Sequence, residues 1–398
     1  MYRYTTRGRR RVERDSQPEL SPGYRRDRTT WVAFGALLAF GFVNAVLGPA
    51  LPYLRAVEHI SYLAGALHQA AYAIGGGVAG LLAARDGRSI GRTGVIAAGL
   101  TGAALAALAV GYAGMPAITI AAAFVMSLLA TSALIRLWAV LSDLHGAQRA
   151  VAMSEGEVSV SLAGILTPLL IGALAATALS WRFAFMVGAA AAGLAALSVW
   201  RTRMPPPAHG HAQAPSTNGR GWQQPTLLVV FAIVALEFSL SFWLATYLND
   251  DIGLARDASV AAVSGLYASS LVGRLLGSRL ARHAGAERLL AAAIGTALLG
   301  LPVLLMATDA PVAAVGIAVA GLGIGAMFPL TSALHIKVSP LGADRALGQV
   351  LTVAAPGQLA GPLMAGAVAQ AAGLRAGLLI LPILALVAAA GLFRHHGR

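Results

Sequence analysis

Twelve transmembrane helices in two parallel, pseudo-repeated six-helix bundles, an all-α integral membrane fold, are what this sequence predicts. Three observations carry the prediction. The composition suits lipid rather than water, apolar runs of spanning length follow one another along the chain, and the two halves match each other at a nearly constant offset. Of 398 residues, 57% are apolar before 46 glycines are added, and 11% are charged, against roughly 25% in a soluble domain. The mean hydropathy is +0.71. A soluble fold of this size could not cover its surface with so few charges. The chain has no cysteine, which removes disulfides, thiolate metal sites and cysteine nucleophiles.

The elements follow in order. Residues 1–30 hold nine arginines and four acids without an apolar run. They read as an Arg-rich cytoplasmic tail, neither a signal nor a transit peptide. A span needs about 20 mostly apolar residues. Such runs, cut by charges, Gly and Pro, occupy 31–54, 61–84, 93–113, 117–141, 151–178 and 182–200. Residues 201–225 are rich in Pro, Gly, Ser and His and read as a flexible cytoplasmic linker. Six more runs follow at 226–248, 259–281, 287–307, 311–334, 346–371 and 375–394. The chain thus divides into a tail, a bundle over 31–200, the linker, and a bundle over 226–394.

Charge sets the orientation. With the N-terminus inside, the inner segments collect 23 of the basic residues, and the outer ones hold Arg55, Arg182, Arg256 and Arg375. That asymmetry follows the positive-inside rule and puts both termini in the cytoplasm of a multi-pass protein of the cell (inner or plasma) membrane. It also accounts for the net charge of +13 without nucleic acid. The tail is expected to touch anionic lipid heads.

The repeat rests on four matches. Gly80-Leu-Leu-Ala-Ala-Arg85 resembles Gly277-Ser-Arg-Leu-Ala-Arg282. Gly146-Ala-Gln-Arg149 resembles Gly342-Ala-Asp-Arg345. Thr167-Pro168-Leu-Leu-Ile-Gly172 resembles Gly361-Pro362-Leu-Met-Ala-Gly366. Arg182 and Arg375 follow at similar distances. Parallel repeats of this kind are found in transporters.

These residues resemble the major facilitator superfamily over about 31–394. Gly80-Leu-Leu-Ala-Ala84-Arg85-Asp86-Gly87-Arg88 is similar to the family's G-x-L-x-D-R-x-G-R loop, with Ala84 where the family has Asp. Trp181-Arg182-Phe-Ala-Phe185 resembles its W-R-x-x-F run, and Gly321-Leu-Gly-Ile-Gly-Ala-Met-Phe-Pro329 its glycine-rich tenth helix. The seventh span and Gly357-Gln358-Leu-Ala-Gly-Pro362 are loosely similar to fucose-permease-like members. The resemblance implies two bundles that rock about a central cavity. It implies gate or loop roles for Gly80, Arg85, Asp86, Gly87, Arg88, Arg279 and Arg282.

Ionisable groups inside a bilayer are costly and mark candidate sites. Glu237, near mid-membrane in its span, is the leading proton-coupling candidate. A neutral carboxyl hydrogen-bonded to a neighbouring helix is the structural alternative. Glu155 and Glu157 are further coupling candidates, one of them expected to pair with Arg136 across the hairpin. The two lie about 200° apart on the helix, so they cannot both face Arg136. Arg274 is expected to extend to the cytoplasmic surface. Asn44, His68, Gln69, Arg136, Ser241, Trp243 and Gln358 are candidate cavity residues, each equally readable as helix packing. The chain lacks P-loop, G-x-S-x-G and H-E-x-x-H patterns. No enzyme activity, cofactor or metal is expected; His209 and His211 in the linker make a poor metal site.

The expected function is secondary active transport of a small organic solute, coupled to protons, by a monomer in contact with membrane lipids. An uncoupled facilitator, a lipid flippase and a non-transporting sensor are the rivals.

Overall fold

The computed structural model describes residues 25–83, 91–206, 224–281, 283–340 and 343–396. Most of the expected tail, most of the linker, and Arg85, Asp86, Gly87, Arg88 and Arg282 lie outside the described residues.

The chain enters α1 (Arg28–Ala45) through Asp27, whose carboxylate accepts from the Thr30 N–H at 2.8 Å and the Thr30 hydroxyl at 2.6 Å. This N-cap supplies an acceptor for a backbone donor that has no helical partner. The first expected span is not one straight helix. It bends by 40° at Val46 into α2 (Leu47–Glu58). Pro49 and Pro52 explain the bend. Neither has an N–H, so the carbonyls of Ala45 and Gly48 lose their usual i+4 donors and each ring crowds the preceding turn.

The first half continues with α3 (Tyr62–Ala83), α4 (Gly91–Tyr112), α5 (Pro116–His145), α6 (Arg149–Ala175) and α7 (Phe183–Thr202). The second comprises α8 (Pro225–Asp250), α9 (Arg256–Leu280), α10 (Ala286–Met306), α11 (Ala310–Val338) and α12 (Ala343–Ala372). Its last span is built from α13 (Leu374–Leu378) and α14 (Ile380–His396). Among the described residues, ten helices are long and apolar enough to cross a bilayer, or eleven with α1–α2 as one bent span. The 22-residue α3, which carries His68, Gln69 and Tyr72, completes the twelve. Several helices outrun the sequence-based bounds. Thus α5 reaches His145, and only the 3-10 turn Gly146–Gln148 separates it from α6. Apolarity stops at the first charges, but the i→i−4 hydrogen bonding continues past them.

The repeat is visible as duplicated fasteners. Arg182 Nε donates to the Gly111 carbonyl in the last turn of α4 at 2.9 Å, and Arg375 Nη2 donates to Ala307 O just after α10 at 3.1 Å. At the other end Thr30 Oγ1 lies 2.9 Å from His145 Nε2, and Thr226 Oγ1 lies 2.7 Å from His335 Nδ1. A Cβ at Gly75 would strike the Phe124 carbonyl, and one at Gly273 would strike that of Leu322. Both members of this second pair are offset by 198 residues from the first. Only glycine lets α3 meet α5, and α9 meet α11, backbone to backbone.

The halves meet where α6 packs on α9, α3 on α12, and α2 on α8. We call the end where the chain enters α1 the terminal end. At the opposite end Gly172 abuts Asp257 and Ala261, and Gly366 abuts Ala66 and Tyr62. Trp243 is fully buried in this seam, edge-on to Tyr62, with its indole donating to Pro362 O at 3.0 Å.

Candidate functional site

A cavity of about 60 Å³ lies between the halves at mid-depth. That is room for a few waters. The first half contributes Asn44 and Ala45 from α1, Gly48 from α2 and Gln69 from α3. The second contributes Glu237 and Ser241 from α8, Tyr267 and Ser270 from α9, and Ile324 from α11, with Phe238 and Phe242 closing the wall. The placement follows from helix geometry. Glu237 and Ser241 are four apart, so they share a face. On α9, Tyr267, Ser270 and Arg274 are spaced by three and four and form one stripe.

Glu237 has Arg274 and Glu157 within electrostatic reach. Its carboxylate also acts on the Tyr267 hydroxyl, which is in hydrogen-bonding reach of Ser241. Arg274 is four residues nearer the terminal end than Ser270, about 6 Å along the helix. It does not run to the end of the bundle as expected. Its Nη1 meets Glu157 Oε2 of α6 at 3.4 Å, and its Nε faces the Gly325 carbonyl at 3.5 Å. The two side chains of this pair remain 34% and 49% exposed, so the seam is looser here than at the opposite end. Glu237, Arg274 and Glu157 thus form a charged line from the cavity toward the terminal end.

Each of these glutamates has a cation partner from beyond the α5–α6 hairpin. Glu157 takes Arg274 from the other half. Glu155 receives two hydrogen bonds from Arg26, at 2.8 and 2.5 Å. The helical wheel explains the split, because the glutamates point to opposite sides of α6. Arg136 is buried in α5 and is not part of the cavity wall.

Of the expected cavity residues, Asn44, Gln69, Ser241 and Glu237 line the cavity together. His68, Trp243 and Gln358 do not. His68 is fully buried, with Nε2 2.9 Å from Thr119 Oγ1 and Nδ1 3.2 Å from Ala64 O. His68 and Gln69 point about 100° apart on the helix, so one faces the cavity and the other the α5 side. Gln358 is half-buried on α12. Gly80 lies in the last turns of α3, and Arg279 is exposed at the end of α9.

Sequence reasoning missed Ser270 and the fasteners of the opposite end. Ser270 had a signal in its spacing between Tyr267 and Arg274. At the opposite end Arg55 Nη1 meets Asp250 Oδ2 at 2.6 Å and stacks 3.9 Å over the Tyr62 ring. The Tyr62 hydroxyl donates to the same Asp250 oxygen at 2.9 Å. Arg375 reaches Asp251 at 3.9 Å, and Arg256 lies 5.5 Å over the Tyr53 ring. All four arginines of the expected outer segments are therefore engaged, Arg182 through its bond to Gly111. Among the described residues, no cluster of His, Asp and Glu could hold a metal.

Comparison with known proteins agrees with this architecture. No curated protein matches the sequence significantly. Among solved structures, a bacterial homologue of the human lysosomal transporter Spinster, in an inward-facing and occupied conformation, superimposes with a TM-score of 0.75. The two share 16% identity over 94% of this chain and 98% of that one. A D-xylose-proton symporter gives 0.72 at 14% identity, covering 92% and 97%. A nucleoside transporter gives 0.69 at 16%, covering 93% and 98%. At these identities the likeness is one of fold. The family model of the Major Facilitator Superfamily matches residues 33–355, and the chain belongs to that superfamily of membrane transporters.

Proposed function

We propose that the chain is a proton-coupled secondary transporter of a small, donor-rich organic solute, with Glu237 as the coupling group and the terminal end in the cytoplasm. The observation that carries the reading is Glu237 itself. It is a mid-membrane carboxylate in a cavity walled by both halves, with no hydrogen bond or salt bridge among the described residues. Keeping it charged inside a bilayer is costly; taking up a proton, or receiving a cationic or hydrogen-bonding solute, removes that cost. The Glu157–Arg274 pair stands between it and the looser end of the seam and serves as its proton route. One charge crossing a potential of 100 mV yields about 2.3 kcal/mol, enough to drive roughly fortyfold accumulation.

The solute class follows from the wall. Asn44, Gln69, Ser241, Tyr267 and Ser270 offer hydroxyls and amides. Pro49 and Pro52 leave the carbonyls of Ala45 and Gly48 without their helical donors, and both residues belong to the cavity wall. Acceptors predominate, which favours solutes rich in O–H or N–H groups. Engaged with Glu157, Arg274 is not the free cation that an anionic substrate would need. The cavity has room for only a few waters in this state, so loading requires the halves to part.

The test is uptake into proteoliposomes containing a pH-sensitive dye, screened with sugars, amino compounds, carboxylates and amphipathic cations. The expected result is a solute-dependent pH change that Glu237→Gln loses while still exchanging solute. The sign of the change separates symport from antiport. Solute flux without a pH change in the unaltered protein would refute coupling and leave a facilitator. Lipid scrambling without solute flux would refute the solute reading.

A further inference from the structure

A second, larger concavity lies on the flank of the first half, away from the seam. It is a groove of about 1010 Å³ between α6 and α7, floored by α1. Ordinary small-molecule pockets are about 300–1,000 Å³. Its floor is Gly35, Ala39 and Phe42, and its walls include Leu166 of α6 and Leu194 of α7, both largely exposed. The polar groups along it are the Thr167 and Ser198 hydroxyls and Arg28 at the terminal end. The Ser198 hydroxyl already donates to its own helix at 2.8 Å.

Three features specify an occupant. The first is length. Arg28 and Phe42 are 14 residues apart on a helix, about 21 Å, whereas one leaflet supplies roughly 15 Å of hydrocarbon. The groove therefore runs from headgroup level past the bilayer middle. The second is charge. Arg28 forms no hydrogen bond or ion pair among the described residues, whereas its neighbour Arg26 is held by Glu155. Trp31, 60% exposed beside it, marks the interface depth at which indoles settle. The third is the chain's own tail, which is arginine-rich without an apolar run and so cannot fill an apolar groove.

We propose that this groove is a binding site for one anionic phospholipid of the leaflet at the terminal end. Its phosphate sits on Arg28 and an acyl chain lies over Gly35 toward Phe42. Arg28 and the aliphatic walls read different parts of the lipid, so the two contributions separate experimentally. A Cβ at Gly35 meets nothing within 4 Å, so a larger side chain there occupies the groove without disturbing the helix packing.

The experiment titrates the delipidated, detergent-purified full chain with phosphatidylglycerol or phosphatidylcholine of identical acyl chains, counting bound lipids by native mass spectrometry. The unaltered protein should hold one phosphatidylglycerol more tightly than any other lipid. Gly35→Leu should weaken both lipids at that site about tenfold, and Leu194→Trp, which narrows the groove from α7, should do the same. Arg28→Gln should lower phosphatidylglycerol affinity roughly fivefold, the effect of one arginine at an anionic surface, and leave phosphatidylcholine unchanged. Undiminished binding in both groove-filling variants would overturn the site. A phosphatidylglycerol preference that survives Arg28→Gln would overturn the headgroup assignment.

Discussion

Replacing Arg55 with alanine should open the end of the seam opposite the chain termini. Arg55 sits at the last turn of α2 in the first half and holds Asp250 of the second at 2.6 Å, while its guanidinium lies 3.9 Å over Tyr62. The ion pair is partly exposed, at 19% and 28%, so solvent screening limits it to about 0.5–1 kcal/mol. The cation–π contact adds about 0.5–1 kcal/mol. Tyr62 keeps its own bond to Asp250, so the closure is weakened by about 1–2 kcal/mol and not abolished. If the open state is rare and exchanges quickly, its population rises about 5–30-fold. The chain has no cysteine of its own, so a single Ser241→Cys substitution places a unique thiol in the cavity. The assay is the rate at which a membrane-impermeant maleimide, added from that side, labels this thiol with and without Arg55→Ala. An acceleration of that size is expected, and Asp250→Asn added to it should accelerate labelling by less than it does alone, because the two substitutions share the Arg55–Asp250 contact. An unchanged rate would refute the idea that Arg55 holds this end shut.

Other outcomes follow from the same geometry. Asp251, just beyond the end of α8, has its carboxyl raised above the usual range because burial outweighs the attraction of Arg375. Its partner Arg375 belongs to the same half, and unfolding returns the carboxyl to water, so the folded state binds the proton more tightly and gains as pH falls through the raised value. The Tm of the unaltered protein in detergent should therefore gain on that of Asp251→Asn as the pH is lowered from 7, checked by thermal unfolding of both. Gly75→Val and Gly273→Val each force a side chain into a facing carbonyl; both should cost more than about 2 kcal/mol and appear as a lowered Tm with loss of folded protein. Arg182→Ala and Arg375→Ala remove equivalent charge-assisted bonds to helix-end carbonyls and should each destabilise by about 1.5–3 kcal/mol, read by thermal unfolding in detergent. Arg274→Gln should slow the coupled pH change while leaving solute exchange intact, measured in the same proteoliposomes as Glu237→Gln.

The spans, their pairing into halves and the matched positions of Arg182 and Arg375 were legible because lipid imposes one rule along the whole chain. A polar residue in it is rare, and each must find a partner. Hence Glu237, Ser241, Asn44 and Gln69 could be singled out, and they do converge. What could not be read was which face of each helix turns inward. His68 and Gln69 are adjacent, as are the surroundings of Ser241 and Trp243, yet one of each pair lines the cavity and the other packs behind it. Partners contributed by distant parts of the chain were equally hidden. Nothing along α6 announces that Glu157 meets Arg274, 117 positions away, or that Glu155 meets Arg26. Pro49 and Pro52 marked a weak point in the first span, but the bend's destination against α8 depends on a glycine contact: Gly48 lies against the backbone of Ser241 and Phe242.

The duplicated fasteners have one more consequence. Each half is tied at both ends by its own bonds, Arg182 to Gly111 and Thr30 to His145 in one, Arg375 to Ala307 and Thr226 to His335 in the other. None of these ties crosses from half to half. The covalent continuity between the sixth and seventh spans is then dispensable for shape. Two separately synthesised fragments, divided within 207–223, should each insert, find the other in the membrane through the glycine-lined seam, and restore a working molecule, as two proteins encoded side by side would.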